Sequence, residues 1–305
     1  MDSKFLITVL GPTAIGKTRL GIQLAEHFET EVLSADSRQF YREMRIGTAV
    51  PSDEELARVR HHFIQDRSVL EDYNVGSFEQ DAIELLEDKF RTRKVMVMVG
   101  GSGLYVDAVL NGLDEFPEVD ASVREKLVEL LDEKGLEALQ EMLQKLDPVS
   151  YERIDIQNRQ RMVRALEICI GTGKPFSSFW MNRRKDRSFR SIKIGLRADR
   201  QLVYRRINER VDLMMEQGLL EEARRLYPHR DLNALQTVGY RELFAHFDGD
   251  LSLEEAVSEI KKNTRRFAKR QGTWFRKDED ITWFDHDEEP AKIIGFLKDR
   301  MENID

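Results

Sequence analysis

The stretch VLGPTAIGKTRLG, residues 9–21, decides the fold of this chain. It places Gly11, Gly16, Lys17 and Thr18 in the spacing G-x-x-x-x-G-K-[ST], which is typical of a loop that binds phosphate groups. A continuous apolar run precedes the stretch, and residues with helical spacing follow it. A strand, a glycine-rich turn and a helix in this order are the context that the motif requires. The sequence therefore predicts a phosphate-binding loop close to the start of the chain.

The chemical groups of this loop suit an anion. Successive backbone N–H groups and the first turn of a helix point at one anion, the Lys17 ammonium adds a positive charge, and the Thr18 hydroxyl can ligate Mg²⁺. The residues predicted to bind phosphate are Gly11, Pro12, Thr13, Ala14, Ile15, Gly16, Lys17 and Thr18. A chance match in a glycine-containing turn is the alternative. The flanking strand and helix favour the phosphate loop.

Further apolar runs alternate with helical patterns along the chain. Residues 31–37, 94–101, 191–199 and 281–285 are predicted as strands. Continuous apolar strands that alternate with helices indicate a parallel sheet covered on both faces. The predicted fold class is therefore α/β, with a P-loop NTPase-like parallel sheet core flanked by helices.

One part of the chain has helical patterns alone. It runs from about 114 to 190 and includes a long amphipathic segment that Asp120 is placed to cap. The sequence thus predicts two domains. The α/β core comprises 1–113 and 191–305, and an all-helical insertion domain comprises 114–190.

Composition limits the classes of protein and of metal site. The chain has 305 residues, 41% of them hydrophobic, which is enough for a full core. Its single cysteine, Cys169, can form neither an internal disulfide nor a thiolate cage, so oxygens or histidines would hold any metal. No apolar run reaches the roughly 20 residues that span a bilayer, and the first residues do not have the pattern of a signal peptide. We expect a globular cytoplasmic protein that does not enter a membrane.

Asp36 follows the second predicted strand. Parallel strands end on one edge of a sheet, so its carboxylate is expected near the phosphate loop. It has three explanations that local sequence does not separate: a turn residue, a Mg²⁺ ligand or a general base. The strand at 94–99 ends in glycines, where a nucleotide hydrolase or kinase has an acid, and no N-K-x-D motif for guanine is present. The loop therefore suits a phosphate compound other than a nucleotide.

Two further segments offer polar groups to the predicted site. The turn GGSGLY contains Ser102 and a second set of backbone donors at a helix start, although a plain tight turn explains it nearly as well. Arg206 and Arg210 stand one helical turn apart and can face a shared anion. Salt bridges to Glu209 or Asp212 are an equal alternative on spacing.

A basic segment, residues 261–277, contrasts with the formal net charge of −8. It contains eight Lys and Arg residues and no acid. On a helix, the basic residues form two adjacent ridges opposite an apolar stripe, and Trp274 and Phe275 follow directly. Cations beside aromatic rings suit RNA phosphates and stacked bases, whereas an ordinary solvated face is usually mixed in sign. Further basic clusters at 158–168 and 181–190 could grip an RNA stem together with this segment.

Eight segments, taken in order, resemble the tRNA dimethylallyltransferase family, also called tRNA isopentenyltransferase. They are GPTAIGKT, SADSRQFY, MRIGTAVPS, VGGSGLYVDAVL, RQRMVRALEI, RINERVDLM, QTVGYRE and AKRQGTWFRK. The resemblance runs along nearly the whole chain. Eukaryotic members carry a C-terminal zinc finger that this sequence lacks, so the sequence resembles the bacterial form.

The resemblance implies a reaction and its partners. Members transfer a dimethylallyl group from dimethylallyl diphosphate to the exocyclic amine of the adenosine just 3′ of a tRNA anticodon, with Mg²⁺ as cofactor. We therefore expect the anticodon stem-loop of tRNA and dimethylallyl diphosphate as partners of a cytoplasmic monomer.

The family's functional residues can be placed on matching positions. Asp36 would be the base that takes a proton from the adenine amine, Lys17 would stabilise the departing diphosphate, and Thr13 and Arg210 would assist there. Thr18 would be the metal ligand. The predicted tRNA contacts are Asp36, Ser37, Arg38, Gln39, Ser102, Arg124, Gln160, Arg161, Met162, Val163, Arg164, Gln236, Thr237, Val238, Gly239, Tyr240, Arg241, Lys269, Arg270, Gln271, Gly272, Thr273, Trp274, Phe275 and Arg276. Members often have Thr where this chain has Ser102, and both supply a hydroxyl.

Two other functions are compatible with parts of this pattern. A small-molecule P-loop kinase would bind ATP at the loop and use the helical insertion as a lid. A nucleic-acid-binding module with a vestigial loop would bind RNA without turnover. Binding of ATP compared with binding of the prenyl donor separates the first from the transferase.

Overall fold

The computed structural model describes residues 3–180 and 185–303, and a six-stranded sheet forms the centre of the described chain. The strands are β1 (Phe5–Leu10), β2 (Val32–Ser34), β3 (His61–His62), β4 (Val95–Val99), β5 (Arg190–Arg197) and β6 (Thr282–Asp285). Their order is β3-β2-β4-β1-β5-β6, and every pairing is parallel. The prediction of a parallel α/β sheet is confirmed.

Helices connect the strands along the described chain. They are α1 (Lys17–His27), α2 (Asp53–Arg58), α3 (Val75–Lys89), α4 (Gly103–Asn111), α5 (Ala121–Leu146), α6 (Pro148–Arg153), α7 (Arg159–Thr172), α8 (Arg200–Glu216), α9 (Leu219–Leu226), α10 (Tyr240–Phe247), α11 (Leu253–Phe275) and α12 (Pro290–Glu302). In the part of the chain that the structure describes, none of them combines the length and the apolar character needed to cross a membrane.

Strand β1 explains why the sheet needs cover on two sides. All six of its residues are buried. Leu6 and Leu10 join one hydrophobic core, whereas Phe5, Ile7 and Val9 join a second core on the opposite face. Alternate side chains of a strand point to opposite faces, so an unbroken apolar strand requires helices on both.

The chain divides into two compact units. One comprises the residues up to 111 together with those from 186 onward, and the other comprises 112–185. The predicted insertion, 114–190, thus runs past the end of the second unit. Phe189 is buried in the core of the first unit, and Arg190 pairs with Phe5 of β1.

The 112–185 unit is helical and has its own core. Asp120 caps α5 by accepting a hydrogen bond from the N–H of Ser122, as the sequence predicts for this cap. Leu127, Leu131, Leu139 and Leu143 of α5 are buried against α7. The backbone of α5 is non-helical at Gly135, with φ 77°, so the helix is kinked there. The spacing of four residues places Leu127 and Leu131 on one face before the kink, and Leu139 and Leu143 on one face after it.

Asp147 links the segments of the helical unit around one buried carboxylate. It accepts hydrogen bonds from the N–H and hydroxyl of Ser150, at 3.1 and 2.5 Å. It also accepts bonds from the N–H and hydroxyl of Ser177, at 2.7 and 2.9 Å. Desolvation alone would raise the pKa of Asp147, but these four donors outweigh it and hold the pKa below its ordinary value.

We expect Asp147→Asn to destabilise the helical unit by about 2–3 kcal/mol, because an amide cannot accept from four donors. The native carboxyl has a lowered pKa, so its stabilising effect is present above the unfolded pKa and is lost as the pH falls through the folded value. Thermal unfolding of the wild type should therefore lose stability in acid, and the variant should lose less. Asp132→Asn, an exposed change on α5, should alter stability by under about 0.5 kcal/mol and is the matched control. Equal acid sensitivity in the wild type and in Asp147→Asn would contradict this explanation.

Candidate active site

The phosphate loop leaves the carboxyl end of β1 and runs into α1. Gly11 has φ 142° and Gly16 has φ 108°, conformations that favour glycine. A Cβ on Gly11 would lie 2.8 Å from the carbonyl oxygen of Leu196, so the loop also needs glycine for space. Gly16 caps α1 without a side-chain hydrogen bond. The first N–H groups of α1 therefore remain available to an anion.

Lys17 lies at the centre of this loop. Its ammonium donates a hydrogen bond to the Pro12 carbonyl at 2.8 Å. Burial lowers the pKa of Lys17 to about 8, the negative charge of Asp36 opposes that change, and the positive charge of Arg210 adds to it. Lys17 therefore senses both groups, and an incoming anion would stabilise its charged form.

Asp36 stands two residues beyond β2. Its carboxylate accepts a hydrogen bond from the N–H of Arg38 at 3.1 Å, so the turn explanation of this residue describes its local geometry correctly. Burial raises the pKa of Asp36, against the opposing effects of that N–H and of the Lys17 charge. A raised carboxyl pKa suits a general base, and the turn bond orients the carboxylate.

Two cavities meet at Asp36. One, of about 810 Å³, has a polar lining that includes Lys17 and Thr18. The other has a volume of about 620 Å³ and shares several lining residues with the first. Thr13, Asp36 and Arg210 line both. The structure therefore brings the predicted loop, acid and arginine into one continuous crevice.

The lining of the second cavity differs from that of the first. Apolar side chains from α8, from the segment before α10 and from α11 contribute to it, among them Val211, Val238 and Phe267. A reactive centre at Asp36 would thus face cations on one side and a more apolar space on the other. Apolar walls exclude water from a reacting carbon.

Hydrogen bonds from neighbouring loops hold the turn that follows Asp36. The Ser102 hydroxyl accepts a hydrogen bond from the N–H of Ser37 at 3.0 Å. The Gln39 amide donates to the carbonyls of Thr48 and Ala49, at 3.2 and 3.1 Å. The first contact holds the turn after Asp36 against the β4 loop, and the other two hold it against the segment before α2. The hydroxyl of Ser102 therefore has a structural contact in addition to any contact with RNA.

Arg206 and Arg210 project from α8 into the polar cavity. The two acids considered as their alternative partners bind other cations. Glu209 pairs with Arg205 at 3.8 Å, and Asp212 pairs with Lys261 at 2.5 Å. The anion-binding explanation of the arginine pair agrees with this arrangement.

The charges on helix α11 differ from the predicted uniformly basic face. In its first half Lys261 pairs with Asp212, and Lys262 pairs with Glu259 at 2.7 Å. Arg265 donates to the Asn208 side chain on α8 at 2.7 Å. The prediction of a uniformly positive face is wrong for this half of the helix, because acids of α8 and of α11 itself pair with its two lysines. The exposed cations of α11 are concentrated later, at Arg266, Lys269 and Arg270.

Five side chains predicted to touch tRNA lie in the interior. They are Met162, Val163, Tyr240, Gln271 and Phe275, each at most 6% exposed. A motif identifies positions and not the directions of side chains, so burial does not favour direct contact of these side chains with RNA, and that contact stays a prediction. Gly239 is buried as well.

Other predicted RNA contacts remain accessible. In the α/β unit the exposed or half-buried side chains are Ser37, Arg38, Gln39, Ser102, Gln236, Thr237, Val238, Arg241, Lys269, Arg270, Thr273, Trp274 and Arg276. In the helical unit they are Arg124, Gln160, Arg161 and Arg164. The basic cluster at 181–190 falls partly on 181–184, which lie outside the described residues.

Glu222 is a site residue that sequence reasoning missed. Its buried carboxylate accepts hydrogen bonds from the N–H groups of Ile46 and Gly47, both at 2.9 Å, and from the Tyr240 hydroxyl at 2.7 Å. Thr48, just beyond, lines both cavities. An acid on the apolar face of a short helix is the signal that could have identified it, because a buried carboxylate needs donors.

The structure describes no cluster of three or more His, Cys, Asp or Glu side chains that could hold a metal in residues 3–180 and 185–303. Thr18 lines the polar cavity beside Asp36. Mg²⁺ commonly uses one or two protein oxygens together with phosphate oxygens. These donors fit a Mg²⁺ ion that a phosphate compound brings with it.

Known proteins resemble this chain over most of its length. A family model described as IPP transferase matches residues 39–278. A protein of Christiangramia forsetii named tRNA dimethylallyltransferase is 57% identical over 98% of this chain and 99% of its own. A protein of Flavobacterium psychrophilum with the same name is 54% identical over the same shares.

Solved structures agree with the sequence relatives. The tRNA isopentenylpyrophosphate transferase of Bacillus halodurans has a TM-score of 0.73 and 38% identity, over 99% of this chain and 97% of its own. A eukaryotic dimethylallyltransferase acting on tRNA has a TM-score of 0.81 and 26% identity, over 99% and 80%. With a phosphate loop, an acid and an arginine gathered at one sheet edge, and with this match along nearly its whole length, the chain belongs to the IPP transferase family of tRNA dimethylallyltransferases.

Proposed function

We propose that this protein transfers a dimethylallyl group from dimethylallyl diphosphate to the exocyclic amine of the adenosine 3′-adjacent to a tRNA anticodon, and releases diphosphate. The observation that carries the proposal is the meeting of two cavities at Asp36. One has the cations that a diphosphate needs, and the other has space for a base. The protein would act as a monomer in the cytoplasm, where its RNA substrate is found.

The donor diphosphate would bind in the polar cavity. The N–H groups at the start of α1, the Lys17 ammonium and the Arg210 guanidinium face that space. Thr18 would hold Mg²⁺ together with oxygens of the diphosphate. When bound, Mg²⁺ supplies charge that neutralises the leaving group.

Stabilisation of the departing diphosphate would be the main catalytic effect in this reaction. The adenine amine is a poor nucleophile because its lone pair is delocalised into the ring. The carbon–oxygen bond of the donor must therefore weaken early, with negative charge collecting on the diphosphate. Preorganised cations and N–H groups are the efficient way to stabilise that charge, which assigns the main role to Lys17, Arg210 and the loop.

Asp36 would accept the proton that the amine loses as the new carbon–nitrogen bond forms. A raised pKa makes its carboxylate a stronger base, and the neighbouring Lys17 keeps part of it ionised. The target base lies in a loop of the RNA and can be flipped into the second cavity. The apolar residues there would keep water from the allylic carbon.

The RNA would bind across exposed cations. On the α/β unit these include Arg266, Lys269 and Arg270 of α11, and on the helical unit Arg161 and Arg164 of α7. Phosphate contacts of this kind orient an RNA without reading its sequence. We infer that the helical unit contacts tRNA in its own right.

The kinase alternative receives less support. Strand β4 ends at Val99 and is followed by Gly100 and Gly101, where a nucleotide-dependent enzyme has an acid for its metal. Relatives with about half of their residues identical are named as transferases acting on tRNA. Dimethylallyl diphosphate should therefore bind the loop and become a substrate, and ATP should not be turned over.

Replacing Asp36 tests the base. Asp36→Asn should slow transfer about 10²–10⁴-fold, because the amine proton loses its acceptor, and should change tRNA affinity by under about threefold. Single-turnover transfer to a tRNA transcript measures the rate, and filter binding measures the affinity. Asp88→Asn, on the exposed face of α3, is the control. Turnover near that of the wild type in Asp36→Asn would remove Asp36 from the mechanism.

The pH profile tests both titrating groups. Asp36 must be ionised to act, so kcat/KM should fall in acid, with its acid limb above the ordinary pKa of an aspartate. Lys17 must be charged, so kcat/KM should also fall as the pH rises through its pKa of about 8. In Lys17→Arg the guanidinium stays charged, and the alkaline limb should move upward by about 2 pH units or more. An alkaline limb that stays in place would assign it to another group.

The salt dependence of RNA binding tests α11. Arg266→Gln should reduce the slope of log Kd against log salt by somewhat under one unit, as expected for one lost phosphate contact. Arg91→Gln, which follows α3 near the amino ends of the strands, should leave the slope unchanged. Identical slopes for the wild type and Arg266→Gln would exclude Arg266 from the RNA interface.

A further inference from the structure

Gln271 lies inside the site and not on the RNA-facing surface. Its side chain is on the inner face of α11 with Ala268 and Phe275, and the residue is 6% exposed. The amide oxygen accepts a hydrogen bond from the N–H of Thr13 at 2.9 Å. The amide nitrogen donates to the Gly101 carbonyl at 2.9 Å. One side chain from residue 271 therefore joins the β1 loop to the β4 loop.

The neighbouring glycine is needed for this contact. A Cβ on Gly101 would lie 2.3 Å from the amide nitrogen of Gln271 and 3.6 Å from the Lys17 ammonium nitrogen. The amide, the ammonium and the backbone of residue 101 thus share a small space beside the phosphate loop. Any side chain at 101 would displace the amide.

The two partners require a neutral amide. Thr13 offers a backbone donor and needs an acceptor, whereas Gly101 offers a backbone acceptor and needs a donor. An ionised glutamate at 271 would accept from Thr13 but repel the Gly101 carbonyl. It would also put a negative charge next to Lys17, where an anion is expected to bind.

We propose that Gln271 is a positioning residue for the prenyl donor: it fixes the phosphate loop against the β4 loop and fastens both to the helix that carries the RNA-facing cations. The proposal rests on the function given above. The Thr13 N–H is oriented by this bond, and residues 14–18 then present their N–H groups in a set direction. The outer face of the same helix carries Lys269 and Arg270. Helix α11 therefore bonds to the donor site through its inner face and carries exposed cations on its outer face.

The test measures binding of inorganic diphosphate with Mg²⁺ by titration calorimetry, without RNA, so it does not depend on turnover. Gln271→Met keeps the length of the side chain and removes both hydrogen bonds, and we expect the Kd for diphosphate to rise about tenfold. Gln271→Glu should raise it further, because it adds a repulsive charge. Gly101→Ala should resemble Gln271→Met by displacing the amide.

Matched controls separate positioning from RNA contact and from folding. Gly295→Ala on α12 has open space and should bind diphosphate as the wild type does. Lys269→Met changes the outer face of α11 and should raise the Kd for tRNA, whereas Gln271→Met should leave that Kd within about twofold. Thermal unfolding identifies a variant that fails to fold, and Gly101→Ala then provides the independent measurement.

The outcomes are distinct. An unchanged diphosphate Kd in folded Gln271→Met overturns the proposal, and so does a loss of tRNA affinity as large as the loss of diphosphate affinity, which would make Gln271 an RNA contact. Diphosphate binding that depends on Gln271 as expected supports the positioning role. If the wild type binds diphosphate but transfers no prenyl group to tRNA, the proposed function fails while the measured dependence on Gln271 stands.

Discussion

The parallel alignment of β1, β4 and β2 is the constraint on which the site depends. Val9 of β1 and Ser34 of β2 both pair with Val99 of β4, so the three strands end at one level. The loops that follow must leave the same edge of the sheet. That geometry brings the phosphate loop, the Asp36 turn and the Gly101 turn together, although nearly ninety residues separate the first from the last. Close approach of the loops then needs glycine, as at Gly11 against the Leu196 carbonyl.

In this crevice the charges of Lys17 and Asp36 each counteract the pKa shift that burial causes in the other group. Burial raises the pKa of Asp36 and lowers that of Lys17, and each charge partly restores the ionised form of the other. Without a bound anion, Lys17 also faces the positive charge of Arg210, which further disfavours its ammonium. A bound anion would relieve this repulsion. The positive groups are thus in place before a phosphate compound binds, and they can stabilise negative charge that develops on it.

Helix α11 connects this chemistry to the surface. Its inner residues pack in the cores or bond to the loops, as Phe275 and Gln271 do, while Lys269 and Arg270 stay exposed. The helix begins with a capping box at Ser252 and runs without a break to Phe275, so both faces belong to one rigid body. An ion pair from Lys261 to Asp212 and a hydrogen bond from Arg265 to Asn208 fasten its first half to α8. The cations of the second half have no acidic neighbours within residues 261–277 of the sequence.

The sequence by itself determined the class of fold and the chemistry of the donor loop. Unbroken apolar strands and the spacing of Gly11, Gly16, Lys17 and Thr18 are local features that can be recognised in the sequence without knowledge of distant contacts. Side-chain direction was decided only by the tertiary structure. Gln271 and Phe275 belong to a basic, aromatic motif that predicts a surface, yet both are buried, because the helix packs that face against the sheet edge. Glu222 carried no motif, and its role arose from three donors that distant segments bring to it. The burial of a side chain and its hydrogen-bond partners depend on residues far apart in the chain, so no single stretch of sequence predicts them.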